Sequence, residues 1–105
     1  MNSTDSSGKT AHIEVPYEGD HCLPCVFMAE VVEEAVKKFG VRVRWEKIYL
    51  KRRNGAIRYA ELSVKNAGVV PIPSVFINEK LAFDMIPPVE ELEEYLEEIL
   101  KELKA

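Results

Sequence analysis

The chain has 105 residues, 47% of them apolar and 30% charged, and a formal net charge of −4. That balance suits one domain around one hydrophobic core and excludes a wholly disordered chain. The negative total excludes a global attraction to nucleic acid, and the sequence has no apolar run of the roughly 18 residues that a membrane-spanning helix needs.

The elements read in order as follows. Residues 1–11, rich in Ser, Thr, Asp and Gly, are expected to be a disordered lead-in, and residues 12–105 the folded domain. The lead-in has no apolar core of a secretory signal, which places the expected location in the cytoplasm. His12 to Tyr17 alternates, with Ile13, Val15 and Tyr17 on one side, and reads as a first strand. Glu18-Gly19-Asp20 turns into Cys22-Leu23-Pro24-Cys25. Apolar residues then recur at helical spacing through Val31, Val32, Ala35, Val36 and Phe39, and Gly40 is a stop signal.

Val41, Val43 and Trp45 alternate with charged residues in a strand running to Tyr49 or Leu50. Asn54-Gly55 predicts a turn. A weaker helical pattern follows from Ala56 to Ala67 with Ile57, Ala60, Leu62 and Val64, closed by Gly68. Val69 to Pro73 is extended, as its two prolines require. Ser74 to Ile77 and Leu81 to Met85 form an antiparallel hairpin around Asn78-Glu79-Lys80. Pro87-Pro88 opens a last helix with Val89, Leu92, Leu96, Ile99 and Leu103 on one stripe. The order β-α-β-α-β-β-α makes an α/β fold. Its mixed sheet has four strands, with helices on both faces.

The charge is unevenly spread. Nine basic residues stand against Glu46 alone from Lys37 to Arg58, and six glutamates without a base lie between Glu90 and Glu98. Two solvated faces that pair with each other or with water account for the pattern. A basic patch that selects acidic proteins is the other reading.

The chemistry-bearing motif is the cysteine pair. Two cysteines in a chain this size make no disulfide framework, and their spacing points to redox or metal chemistry. At a helix N-terminus, unpaired N–H groups and the helix dipole favour a thiolate. Such cysteines have pKa values of roughly 3.5–7.5, against about 8.5 for a free thiol. Residues one helical turn apart can close a disulfide without backbone movement. Cys22, at the exposed helix mouth, is then the attacking thiol, and the inward Cys25 the resolving thiol. Pro24 sits where a missing N–H costs little, and Leu23 lies at the lip of the site. His21 either stabilises the thiolate as an imidazolium or is an exposed turn residue. Half a zinc site is the rival reading. A tetrahedral site needs four ligands, and His12 and His21 are the only other soft ones. A buried, inert cysteine pair is a third.

A Cys-x-x-Cys at the first strand–helix junction, with Ile72-Pro73-Ser74 entering a strand 48 residues beyond Cys25, resembles the thioredoxin family. The likeness covers His12 to Leu103, and the compact element order is closest to glutaredoxin-like and small thioredoxin-like members. The resemblance implies a thioredoxin-like fold and a cis peptide at Pro73 facing the cysteines, with Ile72 offering its N–H and C=O to an extended substrate. Ile72, Pro73, Leu23 and Pro24 would then form the substrate groove. It also implies a monomeric protein-disulfide oxidoreductase without metal or organic cofactor. Its partners would be disulfide-containing proteins and an electron-donating reductase, with no nucleic acid or membrane. Glutathione-dependent reduction and a redox-inert or metal-binding module on the same fold are the alternatives.

The sequence departs from the family at three places. His21 stands where thioredoxins usually carry Trp, Leu23-Pro24 replaces their Gly-Pro, and Pro16 occupies the place of the buried acid. Glu14, Glu18 and Asp20 are the nearby carboxylates for proton transfer, and spacing does not choose among them. Trp45 is expected in the core, with a substrate platform as the other reading, Phe76 and Ile77 in or near the core, Tyr17 in the core or at the rim of the site, and Phe83 on either face.

Overall fold

Strand β1 (Ala11–Tyr17) carries the alternation that organises the whole molecule. The computed structural model describes residues 10–68 and 70–104, so most of the expected lead-in lies outside the described residues. Its last residue is a correction: Ala11 begins β1 and is fully buried, because a methyl side chain fits the core where the sequence turns apolar. β1 pairs in parallel with β2 (Val43–Tyr49), Ala11 opposite Val43 and Tyr17 opposite Tyr49. On its other side β1 pairs antiparallel with β3 (Val75–Ile77), which forms a hairpin with β4 (Lys80–Phe83). The sheet order is β2-β1-β3-β4.

Helices α1 (Leu23–Val36) and α3 (Val89–Lys104) pack together on one face, over Ile13, Val15, Val75 and Ile77. Helix α2 (Arg53–Lys65) covers the other face, where Leu62 meets Ile48, Val70 and Phe76. Burying each such aliphatic side chain stabilises the fold by roughly 1.5–3 kcal/mol. The α3 stripe is centred on Leu92, Leu96 and Leu100, with Val89, Ile99 and Leu103 at its margins. Phe83 is half-buried on this same face, its ring 5.2 Å from that of Tyr95.

Three expectations are corrected. α1 ends at Val36, and a short 3₁₀ turn (Gly40–Arg42) follows. Val41 therefore lies in that turn, 88% exposed, and not in the strand. Asn54-Gly55 belongs to the first turn of α2 and not to a separate loop. A Cβ at position 55 would lie 2.0 Å from the Tyr49 carbonyl oxygen, so glycine lets this helix start against the end of β2. Ile57 and Val64 point outward from α2, because the sheet-facing side is taken by Leu62, Tyr59 and Arg58.

Side chains lock the hairpin to α2. The Asn66 amide donates to Leu62 O and Glu79 O and accepts from Leu81 N. Asn78 and Glu79, both at positive φ, form the two-residue turn, and the Asn78 side chain accepts from His12 N at 2.9 Å.

A candidate redox site at the first strand–helix junction

β1 delivers the chain to a turn whose backbone sets up α1. Cys22 N donates to Gly19 O, and Cys22 is the N-cap of α1, its sulfur accepting from Cys25 N at 3.3 Å. Gly19 sits at φ +151, and a Cβ there would fall 2.9 Å from the His21 ring. Glycine therefore lets the exposed His21 ring fold back on the turn. The first turn of α1 holds no acidic residue, so the Cys22 sulfur is the group placed at the positive end of the helix dipole.

Cys22 and Cys25 are joined as a disulfide, with their Cα atoms 5.2 Å apart. Cys22 is partly exposed, whereas Cys25 is fully buried. The difference follows from the helix: one turn rotates the second sulfur onto the face that packs on the sheet. Leu23, 62% exposed, and Pro24 form the lip beside Cys22. Cys25 lies in an apolar cluster with Tyr17 and Ala29, against which Val26, Trp45, Tyr49 and Ile72 pack. Trp45 also reaches the main core, bridging core and site.

Ile72 reaches this cluster from the segment that enters β3, at the same end of the sheet as Tyr17 because β3 runs antiparallel to β1. The Ile72–Pro73 peptide is cis, and both residues are half-buried. Two hydroxyls fix their segment: Tyr59 donates to Val70 O, and the fully buried Ser74 donates to Pro71 O. Sequence reading missed both anchors. Tyr59 and Ser74 are ordinary residue types in pattern terms, and only the folded chain shows which carbonyls they meet.

The three nearby carboxylates separate clearly. Glu14 faces the α2 side of the sheet, where Arg58 holds both its oxygens. Glu18 is exposed. Asp20 is at the site, accepting from the Tyr17 hydroxyl at 2.6 Å. That bond, reinforced by burial, pushes the Tyr17 phenol up to about 12. The Lys47 ammonium lies 4.4 Å from the Tyr17 ring centroid, and Tyr17 and Tyr49 meet edge to face at 5.7 Å. Beside them a recess of about 550 Å³ opens between α1 and β2, with Leu23 at one end.

Metal-ligating residue types also gather away from this pair. Among the described residues, His12, Glu14 and Glu46 bring ligand atoms within 4.8 Å of one another. That group sits on the α2 face of the sheet, and Glu14 in it is already held by Arg58. No described helix is long and apolar enough to cross a membrane.

No protein-family profile matches this sequence, and no curated protein matches it. Solved structures do. A chloroplastic thioredoxin z superposes with a TM-score of 0.65 at 17% identity, over 90% of this chain and 81% of that one. A thioredoxin-2 described as a component of the malaria parasite protein secretion machinery gives 0.63 at 14% identity, over 85% and 82%. A further malarial protein gives 0.60 at 15% identity, over 91% and 99%. The chain has the thioredoxin fold, with a Cys-x-x-Cys pair at its first strand–helix junction.

Proposed function

We propose that this thioredoxin-fold chain is a thiol–disulfide oxidoreductase acting on disulfides of other proteins. The observation that carries the reading is the asymmetry of the pair: a partly exposed sulfur at a helix N-cap, bonded to a fully buried one.

The reaction balances on sulfur alone. The Cys22 thiolate attacks one sulfur of a partner disulfide, forming a mixed disulfide and releasing the other partner sulfur as a thiolate that takes a proton. Cys25 then gives up its proton and attacks the Cys22 sulfur. The second partner thiolate leaves, and the Cys22–Cys25 disulfide forms. The partner gains two electrons and the pair loses two. An electron-donating reductase returns them, and no metal or organic cofactor enters. Ile72 and Pro73 beside the pair, with Leu23 and Pro24 at its lip, would bind an extended partner segment. Cytoplasmic conditions, which keep such a pair reduced, suit this direction of flow.

Trapping tests the proposal. Cys25→Ser should hold partner proteins as mixed disulfides on Cys22, released by dithiothreitol, and Cys22→Ser should hold none. A reduced protein that carries a stoichiometric metal on both thiols and leaves disulfides untouched would defeat the reading. Recycling of the oxidised form by glutathione alone, rather than by a flavin reductase, would turn it toward the glutaredoxin-like alternative.

A further inference from the structure

We propose that the recess between α1 and β2 receives a positively charged segment of the disulfide partner, so that the protein prefers substrates with Lys or Arg beside the target cysteine. The inference rests on the redox reading and names its substrate class. The recess is lined by Leu23, the residue that follows Cys22 in the chain. Its volume, about 550 Å³, is that of a cleft taking several side chains.

Its lining decides the chemistry. Val26, Ala29 and Trp45 offer an apolar floor, and three exposed carboxylates, Asp20, Glu30 and Glu33, line the recess with them. Asp20 accepts from the Tyr17 phenol and not from a cation. Neither Glu30 nor Glu33 forms an ion pair with another described residue, whereas Glu34 on the same helix is paired with Lys37. Among the described residues lining the recess, Lys47 is the one cation, and its ammonium is seated over the Tyr17 ring. The basic side chains Arg52, Arg53 and Arg58 line a second recess with Glu14 and Glu46, and Lys47 is common to both. Negative charge is therefore concentrated on the α1 side of the disulfide. A lysine or arginine stem would lie on the apolar floor with its head among the carboxylates. Trp45 adds a ring for the cation, and an acidic segment would meet like charge.

Single-turnover reduction tests this with the full chain in its dithiol form, which supplies the two electrons. The probes are a cystine peptide flanked by lysines, the same peptide flanked by glutamates, and hydroxyethyl disulfide. At low salt the lysine peptide should react about fivefold faster than the glutamate peptide, and the ratio should shrink as salt is added. Glu30→Gln with Glu33→Gln should abolish most of the preference and leave the hydroxyethyl disulfide rate unchanged. Glu94→Gln with Glu102→Gln, the same charge change placed on exposed positions of α3, should preserve it. Equal rates for the two peptides would overturn the inference, as would a preference that survives the first double variant or disappears in the second. Failure to reduce any probe would instead overturn the redox reading beneath it.

Discussion

Arg58 reaches from α2 to Glu14 on β1 and holds both carboxylate oxygens, Nε at 2.7 Å and Nη2 at 2.9 Å. Glu14 is one of the two buried polar residues among those described, and the guanidinium is what makes its burial tolerable. The same guanidinium also binds Glu79 at 2.8 Å and Glu61 at 3.2 Å. Strand, helix and hairpin turn are thereby joined at one point.

Removing one partner should therefore do more damage than removing both. Arg58→Met leaves a stranded carboxylate and should lower stability by about 3 kcal/mol. Adding Glu14→Met should recover most of that loss. Urea unfolding of the single and double variants measures both steps, and a neutral single variant would show that the pair bears no strain of this kind.

Acid sensitivity should follow from Glu79. Its hydrogen bonds to Lys65 first and to Arg58 second lower its carboxyl from the ordinary 4.5 to about 2. A depressed folded-state value means stabilisation that is complete above 4.5 and is lost as the pH falls from there toward 2. Glu79→Gln should flatten that part of the stability–pH curve and leave the neutral region with a constant offset. Thermal unfolding across that acid range provides the comparison.

The Tyr17–Asp20 bond predicts a spectroscopic signature. Tyr17 should keep its proton until about pH 12, losing it well after an ordinary phenol does. Ultraviolet titration of the chain should show this late component. Asp20→Asn should move it to lower pH, and Tyr17→Phe should delete it. An unchanged late component in Tyr17→Phe would assign it to another tyrosine.

Gly55→Ala should destabilise the fold although α2 is a helix and alanine favours helices. The added methyl meets the Tyr49 carbonyl at 2.0 Å, so the start of α2 must shift. A loss of about 1–3 kcal/mol is expected, read by chemical unfolding. A stabilised variant would mean that α2 adapts freely at its first turn.

Much of this architecture was legible because the strands alternate cleanly. Ile13, Val15 and Tyr17 share a face, Trp45 reaches the core, and the cysteine pair falls where a strand gives way to a helix. The misreadings have a common physical source. Asn54-Gly55 carries the local preference of a turn, but its glycine serves a close approach to Tyr49, a residue six positions earlier. Val41 is apolar at an alternating position, yet the chain is still curling away from α1 there. Ile57 and Val64 fit a helical period, but a charged side chain, Arg58, claims the sheet-facing side. At the site, Ile72 packs on the cluster that holds both cysteines, a neighbour that the resemblance implied and no local pattern in the chain points to. Asp20 among the three carboxylates required the fold, because only the fold shows that Glu14 looks the other way.

The hydroxyls of Tyr59 and Ser74 have a consequence for the energetics of encounter. They tether the stretch from Val70 to Ser74 before any visitor arrives. In the docking proposed above, the wall that carries Ile72 would thus be a finished mould, and little of a partner chain's affinity would be consumed in freezing it. Selectivity then falls to how well the newcomer fits, and loosening either tether should slow docking even though neither hydroxyl belongs to the sulfur pair.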